Sequence, residues 1–151
     1  MTTTTTDGIR KQITLRAAPA RVWRALSSAK EFGTWFGVEL RDEFAPGATV
    51  RGTVHYQGKE LPLTFHIERM EAERLMSFRW HPYAVDPAID YSSEPMTLVE
   101  LTIAPAAEGT LLTVTETGFD QIPIARRAKA FEMNSGGWAA QLENIARHVH
   151  A

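Results

Sequence analysis

The clearest hydrophobic pattern lies in the last part of the chain, residues 126–149. Its apolar residues are spaced seven, four, three and four positions apart, at Phe131, Trp138, Leu142, Ile145 and Val149. This is the period of an α-helix, and the positions between them are mostly polar. The pattern predicts one long amphipathic helix that covers the rest of the fold.

A polar gap interrupts this apolar stripe. Asn134 and Ser135 occupy the gap, and Gly136 and Gly137 follow directly. A glycine inside a helix costs about 1 kcal/mol relative to alanine, so we expect a compensating close approach to another backbone or to a ligand. The first half of the helix is therefore predicted to face partly polar surroundings. A helix that begins only at Gly137 is the alternative.

The start of the chain predicts one strand and two short helices. Residues 9–15 alternate between apolar and polar positions, as in a half-buried strand. Pro19 is suited to open a helix, because its missing N–H costs nothing there. Ser28 and Glu31 have the spacing of a capping box, which predicts a second helix that ends near Gly37.

From residue 38 to residue 119 the apolar period changes to two. Short turns rich in Gly, Pro and charged residues separate the apolar runs, whereas residues 82–95 form a longer loop rich in Pro, Asp and Ser. About six sequential strands joined by short turns predict an antiparallel meander. With the first strand, the chain is predicted to be an α+β protein whose long helix packs on one face of a sheet of about seven strands.

Composition limits the classes of function. The 151 residues are 44% hydrophobic and 23% charged, with a net charge of −2 and no cysteine. Thiol catalysis, disulfides and cysteine-held metals are excluded, and no basic stripe indicates nucleic acid. The apolar runs are too short for membrane insertion, and residues 1–7 lack the features of a signal peptide, so we expect a cytoplasmic protein.

Five motifs occur in an order that resembles a known superfamily. They are Ala18-Pro-Ala-Arg-Val-Trp-Arg-Ala-Leu26, Trp35-Phe36, Pro46-Gly47, Thr113-Val-Thr-Glu-Thr-Gly118 and Gly136-Gly-Trp-Ala-Ala-Gln-Leu142. Over residues 8–150 the chain resembles the START-like (SRPBCC, Bet v 1-like) superfamily. Within it, the chain is similar to the bacterial branch related to the C-terminal domain of the heat-shock-protein ATPase activator.

The resemblance implies a helix-grip fold. In this fold a curved antiparallel sheet wraps around the long C-terminal helix, two short helices follow the first strand, and a cavity lies between sheet and helix. We expect residues 1–7 to be a disordered lead and residues 8–151 to be a single START-like domain. The superfamily contains carriers, receptors and cyclases, so the fold alone does not specify an activity.

An aromatic-lined cavity of this kind suits a small ligand. The alternation predicts its lining, with Trp35 and Trp138 closing the ends. The candidate ligand-binding residues are Trp35, Val54, Tyr56, Phe65, Ile67, Phe78, Trp80, Glu116, Asn134 and Trp138. Each of the apolar residues among them is equally compatible with ordinary core packing.

Glu116 is the most informative single residue, because it continues the apolar face of Leu112 and Val114. A carboxylate that points inward must be paired or protonated. It is a candidate hydrogen-bonding anchor or general base. The alternatives are a structural partner for an N–H near Gly136, or a strand end in solvent.

Three functional hypotheses follow. The first is binding of a small hydrophobic or aromatic molecule, with no cofactor. The second is an enzyme of cyclase, hydratase or isomerase type with Glu116 as base and Tyr56 or His81 as acid. The third is interaction with a chaperone, ranked last because the heat-shock activator has a second domain that this sequence lacks.

The histidines and the long loop add little to these hypotheses. None of the histidines has the spacing of a metal ligand set, so no metal is predicted. The loop of residues 82–95 is long enough to act as a lid over the cavity. The sequence is compatible with a homodimer and does not specify the oligomeric state.

Overall fold

The elements of secondary structure follow the predicted order. The computed structural model describes residues 8–150, and the predicted disordered lead, residues 1–7, lies outside this range. The elements are β1 (Gly8–Leu15), α1 (Pro19–Ser27), α2 (Ala29–Phe36), β2 (Glu39–Leu40), β3 (Thr49–Tyr56), β4 (Lys59–Glu71), β5 (Leu75–Trp80), β6 (Thr97–Ala106), β7 (Gly109–Thr117), a 3₁₀ turn (Phe119–Gln121) and α3 (Ile124–His150).

The strands form one seven-stranded sheet in the order β1-β7-β6-β5-β4-β3-β2. Every neighbouring pair is antiparallel, which confirms the predicted meander and adds β1 beside the last strand. The register places Trp80 opposite Thr97 and Val99 opposite Glu116. These cross-strand pairs decide which side chains meet on the inner face.

The predicted limits of α2 are confirmed by its capping contacts. The Ser28 hydroxyl accepts a hydrogen bond from the backbone N–H of Glu31 at 3.2 Å, which caps the first turn. Gly37 ends the helix in the left-handed region, at φ +84°. Pro19 is the first residue of α1, as expected from its missing N–H.

Helix α3 is continuous through the two glycines, so the alternative of a helix that begins at Gly137 is wrong. The side chains buried along α3 are Ala130, Trp138, Leu142, Ile145 and Val149. The expected close approach of another backbone to the glycines is also wrong, whereas the approach of a ligand to them stays a prediction. Both are exposed, and a Cβ added to Gly136 or Gly137 would meet nothing within 4 Å, because both point away from the sheet.

Aromatic rings fill the interior between the sheet and the helices. Phe65 stacks on Phe78 with ring centroids 4.5 Å apart, and Phe32 of α2 meets both rings edge-on at 5.7 and 6.2 Å. All three side chains are fully buried. Edge-to-face and offset-stacked pairs at these distances stabilise a core beyond the area they bury.

None of the helices in the described part of the chain is both long enough and apolar enough to span a bilayer.

Candidate functional site

The Glu116 carboxylate is the polar centre of the interior. The side chain is fully buried on the inner face of β7, as its alternation with Leu112 and Val114 predicts. From the sheet, the indole N–H of Trp80 donates to Oε2 at 2.7 Å, and the hydroxyl of Thr97 donates to the same oxygen at 2.6 Å. Both donors are themselves buried.

Helix α3 supplies the remaining donors to Glu116. The indole N–H of Trp138 donates to Oε1 at 2.8 Å. The amide of Asn134 donates to both carboxylate oxygens, at 3.0 and 3.1 Å. One carboxylate thus joins β5, β6 and β7 to α3. Asn134 is the one half-buried donor of the four, so it lies closest to solvent.

The local geometry follows from the periods of the two kinds of element. Asn134 and Trp138 are four residues apart, so they share one face of α3. Trp80 and Thr97 are a cross-strand pair, and Thr97 is two residues before the partner of Glu116 in the register. Side chains two apart on a strand point to the same face, which brings all these groups together.

The four donors to Glu116 are all uncharged, and no ion pair of residues 8–150 includes this carboxylate. Indole and primary amide N–H groups donate and do not accept, so the arrangement matches a carboxylate that acts as acceptor only. Burying a carboxylate costs several kcal/mol unless hydrogen bonds offset the cost. These donors offset that cost without neutralising the charge.

Three aromatic rings pack beside the carboxylate. Phe36 of α2, Trp80 and Trp138 have centroids 5.8–5.9 Å apart in each pair. Two of these rings donate their N–H to Glu116, and the third is half-buried. The surroundings of the carboxylate are therefore aromatic on one side and amide on the other.

The remaining predicted site residues separate into core and periphery. Phe65, Ile67 and Phe78 are fully or almost fully buried in the sheet core. Trp35 is also buried, and its indole N–H donates to the Ala25 carbonyl at 2.9 Å, which ties α2 to α1. These residues pack the interior around the carboxylate and make no hydrogen bond to it.

Val54 and Tyr56, at the far end of β3, are half-buried and lie outside the hydrophobic core cluster. The Tyr56 hydroxyl lies 3.3 Å from the hydroxyl of Tyr83. This hydrogen bond is the largest cause that raises the pKa of Tyr83 above its ordinary value. Burial of the phenol adds to the shift.

The proposed acid partners of Glu116 are engaged elsewhere. A ring nitrogen of His81 lies 3.0 Å from the Glu94 carbonyl oxygen, and Tyr56 contacts Tyr83. Among the hydrogen bonds of residues 8–150, neither side chain meets Glu116. Within the same range, no group of three or more histidine, aspartate or glutamate side chains is arranged to hold a metal ion.

The long loop between β5 and β6 is fastened to the start of α3. The Arg126 guanidinium pairs with Glu94 at 2.7 and 2.9 Å and donates to the Pro82 carbonyl at 2.8 Å. It also lies 4.8 Å from the ring centroid of Tyr91. Both partners of the Arg126–Glu94 ion pair are 16% exposed, so the pair is partly shielded from water.

Two surface depressions lie away from the carboxylate. One, of about 370 Å³, is lined by α2, β2 and the segment that follows β2. The other, of about 390 Å³, lies between β1 and α3 beside Ile13 and Leu142. None of the predicted ligand-binding residues lines either depression, and the predicted space between sheet and helix is occupied by the rings described above.

Three contributors were not recognised as site residues from the sequence. Thr97 continues the alternation of Val99 and Leu101 toward the N-terminus, and this signal was available. Arg126 is a cation in the first turn of a helix, where the helix dipole disfavours positive charge, so an acidic partner could have been expected. Phe36 belongs to the Trp35-Phe36 motif, but nothing in the sequence pattern placed it beside the carboxylate.

A curved antiparallel sheet with a long helix on its inner face and two short helices after the first strand is the helix-grip fold of START-like proteins. Residues 16–150 match the family model described as "Activator of Hsp90 ATPase homolog 1-like protein". The chain belongs to this family. No protein of curated function matches it by sequence.

Solved structures share the fold at low sequence identity. Protein MLL2253 from Mesorhizobium loti has a TM-score of 0.74 and 20% identity, over 95% of this chain and 96% of that one. The Aha1 dimer from Colwellia psychrerythraea, solved in solution, has a TM-score of 0.71 and 13% identity, over 94% and 95%.

A third structure with this fold is about twice as long. DynU16, a protein of the dynemicin biosynthetic locus, has a TM-score of 0.73 and 23% identity. The match covers 96% of this chain and 48% of DynU16, so this chain spans about half of that protein.

Proposed function

We propose that the protein binds a small hydrophobic or aromatic molecule between the sheet and α3, with the Glu116 carboxylate as its hydrogen-bonding anchor. The observation that carries this proposal is a fully buried carboxylate that has uncharged donors only and lies among aromatic rings. A few convergent polar groups in an aromatic interior are typical of small-molecule sites. Membership of a START-like family is consistent with such a site.

Because aromatic rings fill the interior, a ligand can enter only if part of the structure that covers Glu116 moves aside. In this proposal the cover is the loop of residues 82–95 together with the first half of α3, which are fastened to each other by Arg126. Asn134 lies in that half of α3, so its movement would free one side of Glu116.

Native mass spectrometry is the direct test. We expect the purified protein to carry a mass surplus that disappears on denaturation, or to acquire one when mixed with a library of small aromatic and acyl compounds. The proposal would be contradicted if no mass surplus appeared, either in the purified protein or after mixing with the library. The mass of a retained ligand would also identify its chemical class.

Tryptophan fluorescence gives an independent measurement. Ligand binding beside Glu116 should change the emission of Trp80 and Trp138. Trp138→Phe should remove part of the ligand-dependent change, because that indole is one of the two that donate to the carboxylate. Trp23→Phe is the matched control, since Trp23 is half-buried on α1 and outside the ring group around Glu116.

An enzyme of cyclase, hydratase or isomerase type is the first alternative. It requires a general acid beside Glu116, and the hydrogen bonds of Tyr56 and His81 lead elsewhere. Glu116→Gln distinguishes the two functions: an enzyme should lose turnover while it keeps most of its substrate affinity. Loss of affinity would instead support an anchor.

Interaction with a chaperone is the second alternative, and it rests on the name of the family alone. Affinity capture with purified heat-shock ATPase would test it. The dimer reported for the Colwellia protein makes self-association a related question, which light scattering of the purified chain would answer.

A further inference from the structure

The charge of the buried carboxylate selects among ligand classes. We propose that the ligand carries a cationic nitrogen, as an ammonium or amidinium group attached to a small aromatic or apolar body, and that this nitrogen takes the place of the Asn134 amide on Glu116. The inference rests on the proposed function of the site.

The first argument is the missing counter-charge. Glu116 is fully buried and has no cation among its hydrogen-bond partners. Other carboxylates of this chain meet a guanidinium, including Glu31, Asp42 and Glu94. A bound ammonium group would supply the positive charge that the protein does not, and would form charge-assisted hydrogen bonds.

The second argument is the position of Asn134. Its nitrogen lies 3.0 and 3.1 Å from the two carboxylate oxygens, so a single donor atom bridges both of them. It is also the least buried of the four donors. A ligand nitrogen at this position would reach both oxygens while Trp80, Thr97 and Trp138 keep their hydrogen bonds.

The third argument is the surface that surrounds the carboxylate. Phe36, Trp80 and Trp138 provide aromatic rings that suit the aromatic or apolar body of such a ligand. The same arrangement opposes acids: an anionic group placed here would face a buried negative charge. Fatty acids and aromatic carboxylates are therefore expected to be the poorest ligands.

Three matched probes test the inference by isothermal titration calorimetry: phenethylamine, phenethyl alcohol and phenylacetate. They share a benzene ring and differ in the charge of the terminal group. We expect phenethylamine to bind at least about tenfold more tightly than phenethyl alcohol, and phenylacetate to bind most weakly. If phenethyl alcohol binds as tightly as the amine, the cation inference is wrong and the proposed function stands. If no probe binds and the compound library is also negative, both are wrong.

Two variants assign the preference to this carboxylate. In Glu116→Gln, the advantage of phenethylamine over phenethyl alcohol should disappear; its persistence would overturn the inference. Glu132→Gln, at an exposed position of α3, is the matched control for nonspecific attraction and should keep the wild-type preference. Circular dichroism checks that each variant is folded.

Asn134→Ala keeps the test decisive if Glu116→Gln fails to fold. This variant retains the carboxylate and removes the group that the ligand nitrogen must displace. Phenethylamine should then bind more tightly than to the wild-type protein, by a few-fold or more. An unchanged or weaker affinity would contradict the proposed position of the nitrogen.

Discussion

Among single residues, Thr97 offers the cleanest test of the carboxylate's hydrogen bonds, because valine has nearly the same shape. Its hydroxyl donates to Glu116 at 2.6 Å in a buried setting. A hydrogen bond to a charged group contributes about 1.5–3 kcal/mol, so Thr97→Val should lower the free energy of unfolding by about that amount. Urea denaturation followed by circular dichroism measures the change.

The control for this substitution is on the same strand. Thr102 lies on the exposed side of β6, and Thr102→Val should change stability by no more than about 0.5 kcal/mol. Equal losses in the two variants would mean that the effect comes from strand propensity and not from the buried carboxylate.

For single residues, the sequence predicted which way a side chain points better than it predicted which residue that side chain contacts. The alternation with Leu112 and Val114 was sufficient to point Glu116 inward. The polar gap in α3 was sufficient to mark Asn134 as a residue that faces something polar. One alternative for Glu116, a partner for an N–H near Gly136, anticipated a contact with this part of α3, and Asn134 and Trp138 make that contact. The sequence did not identify these two donors, because helical spacing does not specify which strand the helix covers. That contact depends on the sheet order.

For the elements, the two exposed glycines of α3 predict substitutions that stabilise the protein, whereas most substitutions destabilise it. Since a Cβ at Gly136 or Gly137 would meet no atom within 4 Å, alanine should fit without strain. Gly136→Ala and Gly137→Ala should each raise the free energy of unfolding by about 0.5–1 kcal/mol through helix propensity. Thermal or urea unfolding measures the gain.

Gly33→Ala is the matched control within α2. There an added Cβ would lie 2.8 Å from the Val38 carbonyl oxygen, so the same substitution should destabilise the protein. A loss of stability at Gly136 would contradict the open surroundings of that position. A ligand affinity that falls as α3 becomes more stable would support displacement of its first half during binding.

The contacts of Arg126, which join the loop of residues 82–95 to α3, also lead to a prediction. Arg126→Ala removes the ion pair with Glu94 and the hydrogen bond to Pro82, so residues 82–95 should exchange their amide hydrogens faster. Hydrogen–deuterium exchange with mass spectrometry measures this change. The exposed Lys129 serves as control, and Lys129→Ala should leave the loop unchanged. Equal exchange in both variants would mean that other contacts fix the loop.

The elements were predicted well because each carries a local signal. The capping box at Ser28, the proline at the start of α1 and the period-two runs all gave the right elements. The prediction that failed was the close approach of another backbone to Gly136 and Gly137. It assumed that a destabilising residue must have a packing reason, and packing reasons depend on the face of the helix that the residue occupies.

At the scale of the whole molecule, Glu31 connects all three helices. Its carboxylate accepts from Arg21 and Arg24 of α1 and lies 2.9 Å from a ring nitrogen of His148 near the end of α3. Burial by itself raises the pKa of Glu31. Hydrogen bonds from His148 and Arg21, with the charges of the two arginines, outweigh burial and hold the pKa below its ordinary value of 4.5.

This lowered pKa of Glu31 determines in which direction the stability of the protein changes with pH. A carboxyl whose pKa is lower in the folded state contributes stability that is present above its unfolded pKa. That contribution is lost as the pH falls below about 4.5 and through the folded pKa. Glu31→Gln should therefore flatten the acid side of the stability profile. Glu132→Gln, at an exposed position, should keep the wild-type slope, and urea unfolding across an acidic pH series would distinguish them.

The convergence of two indole N–H groups on one carboxylate makes the site its own spectroscopic reporter. The chain has four tryptophans. With isotope-labelled tryptophan, each contributes one indole resonance to an NMR spectrum. The Trp80 and Trp138 protons share Glu116 as acceptor, so any event at that carboxylate should shift both resonances together. Trp23, which is half-buried on α1 and outside the ring group around Glu116, should stay in place as an internal reference. Occupancy of the interior could thus be followed in the native chain without a probe.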